Sequence, residues 1–131
     1  MVNEKNLTTR KPILCLDFDG VCHSYTSAWQ GATTIADGPV KGLEGFLYKA
    51  QVYFEVHIFS SRSNQVGGIA AMKAWFGKHC RKSVTDNLVF PLRKPPAHLT
   101  IDDRAICFNG TWPEMTDMVH FTPWNKKERM K

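Results

Sequence analysis

No apolar run in this 131-residue chain approaches the roughly 20 residues of a membrane span, and its opening Met-Val-Asn-Glu-Lys-Asn has no signal-peptide hydrophobic region. A membrane partner is therefore not expected, and a cytoplasmic location is the default. Cysteine is sparse: Cys15, Cys22, Cys80 and Cys107 show no C-x-x-C spacing, and two of them sit inside apolar, strand-like runs. Reduced core thiols follow from that pattern, in place of disulfides or a zinc site. Internal repeats, low-complexity tracts and linkers are also missing, so a single domain over residues 12–125 is expected. It is flanked by a polar N-terminal arm (1–11) and a basic tail (126–131).

The composition is 43% apolar and 22% charged, with a formal charge of +5. That is ordinary for a globular domain large enough to hold a core without disulfides. Part of the charge lies at the ends (Lys5, Arg10, Lys11; Lys126, Lys127, Arg129, Lys131). The excess permits a phosphorylated or nucleic-acid substrate without demanding one.

One stretch organises the rest: Ile13 to Gly20, an apolar run ending in Asp17 and Asp19. Residues i and i+2 of a strand project to one side, so both carboxylates leave the strand end together, and Gly20 lets the chain turn sharply after them. Two carboxylates at the end of a buried strand need neutralising.

Downstream, residues 21–39 read as a short hairpin or flap carrying Tyr25 and Trp29. Val40, Leu43, Phe46, Leu47 and Ala50 predict a helix near 40–51, and residues 53–59 predict a second strand before the polar turn 60–63. Ile69, Met72, Phe76 and Cys80 predict a helix over 64–80, capped by Ser63 or Asn64. Short strands are expected at 88–90, 98–101 and 105–108, with an extended loop around Pro95 and Pro96. Trp112, Met115, Met118, Phe121 and Trp124 suggest a segment packed on the body. Alternating strands and helices imply an α/β fold: a mostly parallel sheet with helices on both faces, of the three-layer, Rossmann-like kind, without a separate cap domain.

In open α/β sheets ligands bind at the carboxyl ends of the strands. Three strands here end in reactive groups: Asp17 with Asp19, Ser60 with Arg62, and Asp102 with Asp103, while Lys94 precedes the third. Brought to one rim, the carboxylates require a cation, and an oxygen-only ligand set favours Mg²⁺. The hydroxyl, the lysine and the N-terminus of the 64–80 helix suit phosphate oxygens. Arg62 can clamp a phosphate or pair with an acid in its turn. His23 reads as a solvated flap histidine, and Tyr25 and Trp29 as stacking candidates or as flap packing.

In order, Leu16-Asp17-Phe18-Asp19-Gly20, His57-Ile58-Phe59-Ser60, Arg93-Lys94-Pro95-Pro96 and Thr100-Ile101-Asp102-Asp103 resemble the four motifs of the haloacid dehalogenase (HAD) superfamily of phosphohydrolases. The resemblance implies a Mg²⁺-dependent phosphatase. Asp17 would be the nucleophile, Asp19 the acid and base, and Ser60 and Lys94 would hold the phosphoryl group. Ser61, Arg62 and Gly20 would be substrate-binding residues, and Asp17, Asp19, Asp102 and Asp103 the metal site. Asp19 would contribute to the metal through its backbone carbonyl, and Asp103 is favoured over Asp102 as the direct ligand. Arg81 and Lys82 compete with Lys94 for the lysine role. The lack of a large insert resembles the capless members, whose open sites suit bulky phosphates. Ser60-Ser61-Arg62 and Asp102-Asp103-Arg104 are similar to strings in the 3′-phosphatase domain of phage-type polynucleotide kinases. A nucleotide or a nucleic-acid terminal phosphate is thus the expected substrate. A small sugar or metabolite phosphate, or a non-catalytic binding module on the same fold, is the alternative. An oligomer is compatible with all of these.

Overall fold

The computed structural model describes residues 10–126; the remainder of the arm and most of the basic tail lie outside the described residues. Three strands form an open sheet, β1 (Ile13–Leu16), β2 (Glu55–Ile58) and β3 (Leu99–Ile101), in the order β2-β1-β3 with both pairings parallel. Helices α1 (Leu43–Tyr53), α2 (Gly68–His79), α3 (Lys82–Thr85) and α4 (Met115–Val119) complete a mixed α/β architecture. No helix among the described residues is long and apolar enough to cross a membrane.

Pairing register explains how the sheet divides its side chains. Leu14 and Leu16 lie beside Val56 and Ile58, and all four join one core with Leu43 and Leu47 of α1 and Met72, Trp75 and Phe76 of α2. The alternate row, Cys15 with His57 on one side and Thr100 on the other, faces the opposite way and runs directly to Asp17 and Asp102. One row of the sheet is therefore core, and the other leads to the polar strand ends. Cys15, Cys22 and Cys80 are buried free thiols, while Cys107 is free and exposed.

Several boundaries differ from the sequence expectation. α1 starts at Leu43 because Pro39 and Val40 pair back onto the flap, with the Val40 N–H donating to the Cys22 carbonyl at 2.8 Å. This antiparallel contact, His23 against Pro39, is the short hairpin expected over the strand end. α2 begins only at Gly68, after Gly67 in the left-handed region (φ 78°). Ser63, expected as its cap, instead accepts the Ser60 N–H on its hydroxyl at 3.0 Å. The first turn of α2 packs against the Arg62 carbonyl so closely that no Cβ would fit at Gly68. The Gly68 N–H at the start of the helix donates to the Gln65 carbonyl at 2.9 Å.

Residues 88–90 supply a single parallel bridge, Val89 to His57, outside β2, and residues 105–108 form no strand. Ile106 and Phe108 lie exposed, since an apolar β-branched run reads as a strand whether or not a neighbour is there to pair with it. The basic turn at 78–82 runs into the short helix α3, and the 111–126 segment contains α4.

Candidate active site

The carboxyl ends of β1 and β3 meet because these strands are direct neighbours, and the Asp17 N–H donates to the Ile101 carbonyl at 3.0 Å. Oxygen atoms of Asp17, Asp102 and Asp103 all lie within 4.8 Å of one another, a spacing that one metal ion can bridge. Burial first, and then the charges of Asp102 and Asp103, push the Asp17 carboxyl up to about 8. Asp103 is also raised, again mainly by burial. A carboxyl pushed that high beside two others is short of neutralising positive charge.

Beside this cluster a cavity of about 220 Å³ is walled by Cys15, Asp17, Phe59, Ser60, Ser61, Lys94, Thr100 and Asp102. Residues from four separate stretches of sequence thus share one hollow, and Lys94 stands in it as the cation. Arg81 and Lys82, the competing cations, are engaged elsewhere, with Glu44 at 3.1 Å and with Asp86 at 2.8 Å. Ser60 is buried, and its hydroxyl oxygen accepts the Arg62 N–H at 3.1 Å. Its own proton remains free to donate into the cavity. Ser61 lies on the cavity wall. The Asp102 carboxylate turns the loop by accepting the Arg104 N–H at 2.9 Å.

Gly20 serves the site through shape. At φ 87° it occupies a region that side chains avoid, and a Cβ there would overlap the Asp103 carboxylate. We expect Gly20→Ala to displace Asp103 and to weaken divalent-cation binding by at least about tenfold, read by calorimetric titration.

Asp19 and Arg62 are paired with each other. The Asp19 side chain is not in the carboxylate cluster. It accepts Arg62 Nε at 3.0 Å and Nη2 at 3.1 Å, and His23 Nδ1 at 2.9 Å. Burial alone would raise its carboxyl, but hydrogen bonds from His23 and Arg62 prevail and hold it below the usual range. Arg62 is fully buried, and its Nη1 donates to the carbonyls of Gly31, Ala32 and Thr34 at 3.0–3.1 Å. Trp29 lies over the guanidinium at 4.8 Å. Of the two readings for Arg62, pairing with an acid is the one seen: it ties Asp19 to the flap, with no donor turned to the cavity.

His23, expected in solvent, is 1% exposed. The Asp37 N–H donates to its Nε2 at 3.0 Å, which assigns the ring proton to Nδ1, the atom facing Asp19. Sequence reasoning also passed over Cys15 and Thr100. The signal was present, since each precedes a site aspartate by two positions and strand alternation puts it on the same face. Tyr25 adopts φ 63° and lies under Lys126, whose Nζ is 4.8 Å from the ring centre.

Fold and site together define a mixed α/β protein with an acidic strand-end centre, flanked by a hydroxyl and a lysine. Comparison with protein-family models, with curated proteins and with solved structures yields no match.

Proposed function

We propose that this chain is a Mg²⁺-dependent phosphomonoester hydrolase that works through an aspartyl-phosphate on Asp17, on a three-layer, HAD-like elaboration of the three-strand sheet. The observation that carries this reading is the meeting of Asp17, Asp102 and Asp103 within 4.8 Å beside a cavity that also holds Ser60 and Lys94. The donor set fits the ion: three carboxylates in partly dry surroundings are oxygen ligands short of positive charge. Asp17 and Asp103 would hold it directly, with Asp102 ordering a ligand water. Bound Mg²⁺ would neutralise phosphoryl oxygens and keep the Asp17 carboxylate ionised.

The residues then divide the work. An Asp17 oxygen attacks phosphorus as the ester oxygen leaves with a proton, and water attacks the same phosphorus in the second step, freeing Asp17 and phosphate. The Ser60 hydroxyl and Lys94 ammonium hold the equatorial oxygens as charge builds on them. Asp19, ionised and held by Arg62 and His23, suits the base half of its role. The acid half requires its carboxyl to carry a proton and to turn from Arg62, giving that proton to the leaving oxygen; Asp19 then takes a proton back from the water that attacks in the second step.

The cavity of about 220 Å³ has room for a phosphoryl group beside Ser60 and Lys94. Together with the +5 charge and the Asp102-Asp103-Arg104 string, it favours a nucleotide or nucleic-acid terminal phosphate. Phosphate release from 3′-phosphorylated oligonucleotides, mononucleotides and sugar phosphates, each with Mg²⁺ and with chelator, tests this. Mg²⁺-dependent release, fastest from the nucleotide substrates, is the expected result. Better turnover of sugar phosphates would move the substrate class, and no turnover of any ester would favour a binding module.

A further inference from the structure

Three successive residues far along the chain grip the loop that follows Asp19. Trp124 Nε1 donates to the Gly20 carbonyl at 2.7 Å, Asn125 Nδ2 to the Ser24 carbonyl at 2.7 Å, and Lys126 Nζ to the Tyr25 carbonyl at 3.3 Å. These bonds span about a hundred residues of sequence, and each joins a side chain to backbone. The first two satisfy carbonyls that have no backbone donor among the described residues, while the Tyr25 carbonyl also accepts the Ala28 N–H at 3.4 Å.

Trp124 is the informative member. Its side chain is not core, since the residue is 62% exposed. A tryptophan held at the surface by one short hydrogen bond contributes little packing, yet its partner is the glycine whose missing Cβ makes room for the Asp103 carboxylate. Gly20 is therefore fixed from two sides: its α-carbon abuts Asp103, and its carbonyl is held by the indole. Moving the Gly20 peptide plane would move the surface against which Asp103 rests.

We propose that Trp124 is a positioning residue for the acidic centre: through the Gly20 carbonyl it sets the turn that seats Asp103 against Asp17. Asn125 and Lys126 extend the same strap along residues 24 and 25. The inference rests on the metal-centre reading above for its consequence, but not for its geometry. Partners once removed from a metal ligand typically change affinity by about tenfold or more when lost.

The test compares Trp124→Phe, which keeps an aromatic ring and loses the donor, with Trp112→Phe as control. Trp112 is 80% exposed, and its ring lies against Phe108, 4.8 Å between centroids. Hydrogen–deuterium exchange on metal-free protein reads the turn itself, and calorimetric Mg²⁺ titration reads the centre. For Trp124→Phe we expect faster exchange in peptides covering 18–25 and 99–104, Mg²⁺ affinity weakened by about tenfold, and a melting temperature within about 4 °C of the parent. Trp112→Phe should match the parent in all three. Unchanged exchange in both peptides overturns the inference, whatever the titration gives. So does a Mg²⁺ affinity equal to the parent's alongside altered exchange. If the parent itself takes no Mg²⁺ while exchange changes as expected, the seating of Asp103 by Trp124 holds and the metal reading fails.

Discussion

Asp17→Asn should abolish phosphate release, by at least about 10³-fold, while making the metal-free protein more stable. Both effects come from one side chain. The asparagine has no carboxylate to attack phosphorus. It also removes an ionisable group from a cluster of three carboxylates, two half-buried and one exposed, and its amide can still donate to Asp103. The pH dependence fixes the sign. An Asp17 carboxyl raised from 3.8 to about 8 keeps its proton in the folded chain where the unfolded chain has lost it. Stability from this group is therefore fully present below about pH 4 and is lost as pH rises through about 8. Asp17→Asn should melt higher than the parent by about 4 °C or more at pH 8, converging with it near pH 4. Saturating Mg²⁺ should shrink the difference, because the ion stabilises the parent's carboxylates. A variant that melts lower than the parent at pH 8 without metal would contradict this account of the cluster.

Arg62→Met is expected to have the larger structural effect, about 3–5 kcal/mol of lost stability in a denaturant titration. Its guanidinium is fully buried, and it answers Asp19 and three flap carbonyls at once. A methionine fills similar volume but leaves the Asp19 charge paired only by His23 and the carbonyls of Gly31, Ala32 and Thr34 without this donor. Arg62→Lys should recover little, since a point-like ammonium cannot span a carboxylate on one side and three carbonyls on the other. If Arg62→Lys matches the parent in stability, the planar fork is not what binds flap to site.

The two cases show what sequence reading reaches. Asp17, Ser60, Asp102 and Asp103 were legible because strand alternation and the strand-end rule are local: each residue's place follows from its own apolar lead-in, whereas Lys94, in a proline-rich loop, is marked only by its position before the third strand. The core stripes Leu43, Leu47 and Met72, Phe76 followed from helical spacing for the same reason. What escaped depends on partners distant in the chain. The Arg62–Asp19 pair joins residues 43 apart, and its choice between phosphate and acid is decided by the flap folding down to offer three carbonyls. His23 looked like a flap residue, and it is one, but the flap is closed over it. Ser63 has the chemistry of a cap, and the local turn takes it first, so α2 starts at a left-handed glycine instead. The apolar residues 105–108 satisfy strand preference and find no neighbouring strand. Trp124 read as core because sequence weighs its ring, while the structure uses its N–H.

The central claim is that Asp17 becomes phosphorylated. Rapid quench of enzyme turning over its best phosphate ester with Mg²⁺, followed by borohydride reduction, converts an acyl-phosphate aspartate to homoserine, which peptide mass spectrometry locates. The account predicts homoserine at position 17, dependent on both substrate and Mg²⁺, with Asp19, Asp102 and Asp103 unchanged. Steady turnover with position 17 unmodified at every quench time, or the modification at Asp102 or Asp103, would contradict it.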